Sequence, residues 1–566
     1  MNVRLGILLL MTGIAANAQT WDSLVDRFFD QGYYRFNPSQ ATYDGFHQYD
    51  GQLEDYSRPK VDEQVRILHQ FEKEVENFPA AKLNPDQSAD REIVLGKIRS
   101  TLLNLETIRY WETNPDLYSS TASTAVFNLM SRTFAPPEVR LKDAIERELA
   151  MPKQFEAARA NLKNPPRIFT EVALEQLPGI ISFFESDVPL AFSAVKDTAL
   201  LDRFHRANQS VIDSLRGYRN FLKTDLLPRS HGDFRLGADS YRKKLLYDEM
   251  ADLPLDRLLQ VGYDDLRHNQ QMLRDTAKKI DPSKTPQQIL EDAGKDHPAP
   301  DKLLETFQNT LVGLRDFVRQ HHIATVPSDV LPRVEETPPF MRALTFASMD
   351  TPGPYEKVAT EAWFNVTLPE KSWTPRQVEE HMAAFNRGVI ISTAIHEVFP
   401  GHYVQFLWIH NAPSKVRKLI GANSNVEGWA HYCEQMMIDE GYGGNNNLRL
   451  RLGQLQDALL RNARFIVGIE MHTGKMTFDQ GVDFFVKEGM QTRTNGERET
   501  KRGTSDPIYL YYTLGKLEIL KLREDYKKQR GSAFSLEEFH NRFLSQGTPP
   551  IKVIRKLMLG NDSPVL

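Results

Sequence analysis

The chain has 566 residues, of which 40% are hydrophobic, 26% charged and 10% aromatic, and this composition excludes a disordered, collagen-like or disulfide-scaffold protein. The balance of 70 Lys and Arg against 75 Asp and Glu gives a net charge of -5, which excludes a strongly basic surface for nucleic acid. The single cysteine, Cys433, excludes an intramolecular disulfide.

The first 18 residues have the pattern of an export signal. A basic start ending at Arg4 precedes the mostly apolar stretch 5–15, and Ala16-Asn17-Ala18 is a small-x-small cleavage site. We predict cleavage after Ala18 and a periplasmic or secreted protein, with a buried first helix as the alternative. No cysteine lies near this site, and no later segment approaches the roughly 18 apolar residues of a membrane span. The sequence therefore predicts no membrane anchor after cleavage.

The remaining residues, 19–566, predict a mainly α-helical protein. Apolar residues recur at helical spacing, and capping-box pairs indicate helix starts. Three such pairs are Thr374 with Gln377, Thr477 with Gln480, and Ser535 with Glu538.

Between residues 326 and 370 the pattern changes, because seven prolines interrupt short β-prone runs at 344–346 and 363–367. This density of prolines excludes a long helix and favours loops with a small sheet. We expect one domain over 19–566, in which an N-terminal half 19–325 precedes a catalytic C-terminal half 326–566.

The segment His-Glu-Val-Phe-Pro-Gly-His at 396–402 is typical of a zinc hydrolase, in which two histidines bind the metal and the glutamate acts as base. On a regular helix, His396 and His402 would point about 240° apart. Pro400 and Gly401 allow the helix to break, so that His402 can turn back towards His396. The alternative is that His402 lies beyond a helix end and forms only local hydrogen bonds. Glu397 is the predicted general base.

A second segment supplies the third metal ligand. Glu427, His431 and Glu434 follow at i, i+4 and i+7, on one face of a predicted helix. Glu427 would complete a His, His, Glu site for one zinc ion with a position open for water. His431 and Glu434 would orient the ligands from outside. The alternative is a solvated polar face on which Glu427 is incidental.

These motifs resemble the bacterial family catalogued as domain of unknown function 885, which carries HExxPGH followed by EGWAxYxE. The chain matches with HEVFPGH at 396–402, together with Gln405, and with EGWAHYCE at 427–434. The resemblance implies a large helical fold around a deep cleft with a small β-sheet beside the active site. It also implies distant similarity to thimet oligopeptidase, carboxypeptidase Taq and angiotensin-converting enzyme, and a supporting role for Gln405, but it supplies no substrate.

Further matches to the family lie towards the C-terminus. They are Arg461 with Arg464, the following His472, the segment beginning at Arg502, and Tyr512 with Gly515. Gly468 stands where the family pattern favours Asp.

The resemblance implies roles for some of these matches. His472 and Tyr512 would donate hydrogen bonds to the oxyanion formed during catalysis, and a purely structural role is the alternative for each. Arg464 and Arg502 would bind a substrate carboxylate, and ion pairs on helix surfaces are the alternative.

The sequence thus predicts an exported zinc-dependent metallopeptidase whose partner is a short peptide. A strand in the region 344–349 could pair with an extended peptide. Two alternatives remain: a zinc hydrolase of a non-peptide amide or ester, and a non-catalytic helical peptide-binding protein. Manganese and cobalt suit the same ligands as zinc. The oligomeric state is not encoded in any of these patterns.

Overall fold

The computed structural model describes residues 20–342, 345–444 and 447–566. The signal peptide predicted over 1–18 lies outside the described residues. Within them, the chain is mainly α-helical with one small sheet, which confirms the predicted fold class at this level. None of the described helices combines the length and apolarity that a membrane crossing requires.

The α-helices are numbered in chain order over the described residues. The first ten are α1 Trp21–Arg27, α2 Pro38–Asp44, α3 Arg58–Glu76, α4 Pro85–Leu102, α5 Tyr110–Thr113, α6 Asp116–Ser131, α7 Pro137–Asn161, α8 Arg167–Ser182, α9 Val188–Ala191 and α10 Thr198–Phe221. Those that follow, up to the sheet, are α11 Gly237–Glu249, α12 Leu255–Ile280, α13 Pro286–Gly294 and α14 Leu303–Gln320. Those after the sheet are α15 Pro375–Ala384, α16 Arg387–Glu397, α17 His402–Ile409, α18 Lys415–Leu419, α19 Asn423–Asp439, α20 Leu448–His472, α21 Phe478–Lys487, α22 Arg493–Ser505, α23 Tyr511–Arg530, α24 Leu536–Leu544 and α25 Ile551–Leu559.

The sheet lies in the proline-rich segment, as predicted. Its strands are β1 Arg333–Glu336, β2 Ala347–Asp350 and β3 Trp363–Val366, in the order β1-β3-β2. The central strand β3 runs parallel to β1 and antiparallel to β2, with Ala347 opposite Val366. Strand β2 is half-buried, forms one edge of this sheet and packs against α16. The sheet therefore lies beside the helix that carries His396 and Glu397.

Two of the three predicted capping boxes form in full, those of Thr374 with Gln377 and Thr477 with Gln480. At the third, the Ser535 hydroxyl accepts from the backbone N–H of Glu538. The carboxylate of Glu538 accepts from the Tyr526 hydroxyl at 3.0 Å instead of returning to the cap. Only half of that box forms, because a partner from α23 takes the carboxylate.

Hydrophobic clusters join the two halves predicted on either side of residue 325. Among the described residues, three of the four clusters contain side chains from both halves, and the fourth lies within 118–226. One of the shared clusters packs α12 against α20. The N-terminal half thus helps to position α20, which carries Arg461 and Arg464.

Candidate metal centre

The helix of the first motif is interrupted where the sequence predicts. Helix α16 ends at Glu397 and α17 begins at His402. In the turn between them, the Gly401 N–H donates to the Ile395 carbonyl at 3.0 Å. A Cβ atom on Gly401 would lie 1.8 Å from the His396 carbonyl oxygen, so only glycine fits. The interruption brings the rings of His396 and His402 to 4.7 Å between centroids.

The three predicted metal ligands converge on one point. The Nε2 atoms of His396 and His402 lie 3.2 and 3.3 Å from the same Oε2 atom of Glu427. One potential ligand atom from each residue lies within 4.8 Å of the other two. Both histidines are buried, whereas the side chain of Glu427 is 24% exposed. The group is therefore enclosed by protein but reachable from the Glu427 side.

The donor atoms of this triad suit a divalent cation, and the nearby carboxylates stabilise positive charge at the same point. Burial favours the neutral ring of His396, but hydrogen bonds to Glu427 and Glu434 outweigh it and raise its pKa to about 9. Burial likewise opposes the charge of Glu427, yet His402 and His396 hold its pKa well below the usual range. Two imidazole nitrogens and one carboxylate oxygen form the donor set of catalytic zinc sites. The residues present therefore fit a zinc ion.

Glu434 orients His396 from behind. Its Oε1 atom lies 2.6 Å from His396 Nδ1 and 3.0 Å from an Arg461 nitrogen, and its Oε2 lies 3.1 Å from His431 Nδ1. Although Glu434 is buried, Arg461 and His431 lower its pKa, so it remains ionised. An ionised Glu434 accepts the N–H at Nδ1 of His396 and thereby turns Nε2 towards Glu427, where a metal would bind. Glu434 thus contacts the predicted ligand His396 directly, whereas His431 contacts Glu434 and supports the ligand only through that carboxylate.

Trp429 fixes the interrupted turn to α19. Its indole Nε1 donates to the Pro400 carbonyl at 2.9 Å, and its side chain is fully buried. It thereby links the helix of Glu427 to the turn that positions His402. Sequence reasoning missed this role, because the acceptor lies 29 residues away.

Glu397 lies buried next to the triad, with 6% of its surface exposed. Its Oε2 atom has no hydrogen-bond partner among the described residues. Burial raises the pKa of Glu397, while His396 and His402 act in the opposite direction. A carboxylate with a free oxygen and a raised pKa beside a candidate metal site has the properties of a general base.

Tyr512 lies near the triad, with its ring 6.4 Å from that of His396 between centroids. Burial raises the pKa of its phenol, so the hydroxyl keeps its proton. The phenol oxygen accepts a hydrogen bond from Arg502 at 3.2 Å. Its own O–H therefore remains able to donate to another group, as the predicted oxyanion role requires.

A close helix crossing holds Tyr512 in this position. Helices α19 and α23 meet at Gly428 and Gly515, and a Cβ atom on Gly515 would lie 1.7 Å from the Ser424 carbonyl oxygen. Tyr512 lies one turn before this crossing, and Glu427 lies directly beside it. The sequence matches to the family contain both glycines, Gly428 in EGWAHYCE and Gly515 after Tyr512. They do not reveal that the two glycines face each other.

The two predicted substrate-binding arginines have protein partners. Arg464 forms a bidentate ion pair with Glu499, at 2.6 and 2.9 Å, and both side chains are buried. Arg502 pairs with Asp506 at 3.1 Å and contacts the hydroxyl of Tyr512. The carboxylate-binding role of Arg464 finds no support in this geometry, because Glu499 already occupies its guanidinium. Both contacts are ion pairs, as the alternative held, but the pair of Arg464 with Glu499 is buried and not on a helix surface.

His472 and Gln405 contact groups outside the triad. His472 Nε2 donates to the Gly503 carbonyl at 2.7 Å, and burial lowers the pKa of the ring to about 4. A neutral ring has one N–H, so His472 has none left for an oxyanion. Gln405 donates to Asn425 at 2.9 Å and links α17 to α19. The Gln405 side chain therefore hydrogen-bonds to no proposed ligand itself, and it supports the site only by joining the helices that carry His402 and Glu427.

Fold and site together define a mainly helical protein with a candidate metal centre at an interrupted helix. Residues 38–558 match the family described as bacterial protein of unknown function, DUF885, so the chain belongs to that family. It is also similar to two solved structures, both named as putative lipoproteins. The one from Shewanella oneidensis, of unknown function, shares 27% identity over 96% of this chain and 100% of that chain, with a TM-score of 0.77. The one from Colwellia psychrerythraea shares 17% identity over 95% and 98%, with a TM-score of 0.79. No curated protein matches the chain.

Proposed function

We propose that the protein is an exported zinc-dependent metallopeptidase that hydrolyses short peptides. One observation carries the proposal: ligand atoms of His396, His402 and Glu427 lie within 4.8 Å of one another, beside a buried Glu397 with a free carboxylate oxygen. Such a combination is costly to fold without a ligand, because buried charge and unpaired polar atoms are unfavourable.

The residues around the triad would divide the chemistry of hydrolysis. A zinc ion held by His396, His402 and Glu427 would supply Lewis acidity to the scissile carbonyl and to the attacking water. Glu397 would accept the proton of that water at its free Oε2 and return it to the leaving amine. Tyr512 would donate its O–H to the developing oxyanion.

The sheet favours a peptide as the substrate. Strand β2 is a half-buried edge strand that packs against α16, the helix of His396 and Glu397. An extended peptide could add to this edge through backbone hydrogen bonds, with its scissile bond near the triad. The implied similarity to helical zinc peptidases with a deep cleft agrees with this arrangement.

Export is supported from two sides. Residues 1–18 have the pattern of a signal peptide. The similar structure from Shewanella oneidensis is of a protein named as a putative lipoprotein, and lipoproteins are an exported class.

The test is product analysis of a mixed peptide library incubated with the zinc-loaded protein at neutral pH. We expect cleavage by the natural protein and none by Glu397→Gln, which should keep its metal. Glu518→Gln is the matched control, because Glu518 is also a buried carboxylate with a free Oε2 and a raised pKa. It should leave cleavage unchanged. Turnover by Glu397→Gln at the natural rate would contradict the proposal, and no cleavage of any peptide would favour a non-peptide amide or ester.

A further inference from the structure

Arg498 differs from its neighbours Arg464 and Arg502 in lacking an acidic partner. Arg464 pairs with Glu499, and Arg502 pairs with Asp506. Arg498 forms no ion pair among the described residues. Its guanidinium donates one hydrogen bond, to the side-chain oxygen of Asn495 at 2.7 Å.

The surroundings of Arg498 make its charge costly. The side chain is half-buried. Burial lowers its pKa, and Arg464 and Arg502 add to this effect, while Glu499 opposes it. An arginine nevertheless stays protonated in a protein. A partly desolvated cation beside two others is stabilised when an anion binds to it.

Contacts along α22 connect Arg498 with both the candidate metal site and the edge of the sheet. It precedes Arg502 by four residues on α22, so both project from the same face, one turn or about 6 Å apart. Arg502 contacts Tyr512, which lies beside His396. The Arg498 guanidinium itself lies 5.6 Å from the ring of Phe346, the residue directly before β2. About two residues of an extended peptide span one such turn.

We propose that Arg498 binds a carboxylate of the substrate. This inference rests on the proposed function and specifies its substrate class: short peptides that present an anionic group a few residues from the scissile bond. The planar guanidinium matches a carboxylate through two parallel hydrogen bonds. The carboxylate has two possible sources, the free C-terminus of the peptide or the side chain of Asp or Glu.

The experiment measures binding rather than turnover, by calorimetry with zinc-loaded Glu397→Gln protein. The probes are tetra-alanine, its C-terminal amide, and the amide of Ala-Ala-Ala-Glu. We expect at least one peptide with a carboxylate to bind about 10-fold or more tightly than tetra-alanine amide, as for a charge-assisted hydrogen bond. Adding Arg498→Gln should abolish this preference. Tighter binding of tetra-alanine identifies the C-terminus as the source, and tighter binding of the glutamate peptide identifies the side chain.

The control variant is Arg493→Gln on the same helix, because Arg493 is exposed and pairs with Asp483 and Glu497. It should keep the preference. Since the preference is a ratio measured within one protein, a partly unfolded variant does not distort it. Equal binding of all three peptides, no measurable binding of any, or a preference that survives Arg498→Gln would overturn the inference.

The outcome separates this inference from the proposed function. Peptide cleavage by the natural protein without a carboxylate preference would leave the hydrolase standing and remove the role of Arg498. If the preference is lost in Arg498→Gln but no peptide is cleaved, the role of Arg498 stands and the peptidase proposal falls.

Discussion

The indole N–H of Trp429 donates to the Pro400 carbonyl at 2.9 Å, and this contact joins the helix of Glu427, the third proposed metal ligand, to the turn that positions His402, the second. The two motifs of the sequence thus meet through a backbone acceptor as well as through the ligand triad. A substitution at Trp429 should therefore weaken metal binding although it alters none of the proposed ligands.

Replacing Trp429 with Phe should weaken zinc binding about 10-fold, because the turn carrying His402 loses its link to α19. Competition with a chelator measures the effect. Trp408→Phe is the matched control, since the Trp408 indole donates to the Thr325 carbonyl at 3.0 Å, away from the triad. Equal zinc affinities in the two variants would contradict this role of Trp429.

Glu434→Gln should reduce zinc affinity about 10- to 100-fold, because His396 loses the carboxylate that fixes its orientation. It should also lower the free energy of unfolding by about 3 kcal/mol, since Arg461 loses its buried partner. Glu499→Gln breaks a comparable buried pair with Arg464 and should cost similar stability at unchanged zinc affinity. Denaturant unfolding and zinc titration of both variants separate the two effects. A full-affinity Glu434→Gln protein would show that His396 needs no such support.

Gly515→Ala should destabilise the protein by about 3 kcal/mol or more, because its Cβ would lie 1.7 Å from the Ser424 carbonyl oxygen and force α19 and α23 apart. Gly313→Ala provides the contrast. A Cβ there meets nothing closer than the Tyr442 hydroxyl at 3.8 Å, so helix propensity should stabilise this variant by up to about 1 kcal/mol. Thermal unfolding measures the stability of both variants. If Gly515→Ala is as stable as the natural protein, α19 and α23 can move apart without cost and the prediction is wrong.

His540 should make stability fall in acid. Burial lowers its pKa to about 3, while its nitrogens contact the Ile323 carbonyl and the Tyr432 hydroxyl. Between pH 6.5 and 3, the unfolded chain binds a proton at this ring and the folded chain does not. The contribution of His540 is therefore complete above pH 6.5 and falls by about 1.4 kcal/mol per pH unit below it.

The check is denaturant unfolding of the natural protein and His540→Gln at pH 7 and pH 5. The stability difference between the two proteins should shrink by about 2 kcal/mol at pH 5, because the variant lacks this titration. Burial raises the pKa of Glu249 to about 7, so that this carboxyl makes the folded protein more stable as the pH falls. Both proteins contain Glu249, and its effect therefore cancels in the difference between them. A difference that stays constant with pH would rule out a buried neutral His540.

Local signals predicted a large part of the fold and of the candidate site. The helix break at Pro400 and Gly401 followed from backbone chemistry, and the i, i+4, i+7 spacing placed Glu427 and Glu434 on one side of α19. Partners distant in sequence were not predictable in this way. Glu499 occupies Arg464 from 35 residues away, and the proline-rich segment gave no sign of which strand would be central.

Helix α22 carries a signal that is present in the sequence itself. Arg498 and Arg502 are four residues apart, a spacing that puts two like charges on one helix face and that structure alone rarely favours. The contact of Arg502 with Tyr512 on α23 is not visible in that spacing.

The most direct test is the metal content of the purified protein, measured by mass spectrometry after exposure to zinc and dialysis. We predict one zinc ion per chain in the natural protein, and loss of this ion in His402→Ala and Glu427→Ala variants that retain their helical circular dichroism. A folded natural protein without stoichiometric zinc, or variants that keep the ion, would contradict the metal centre.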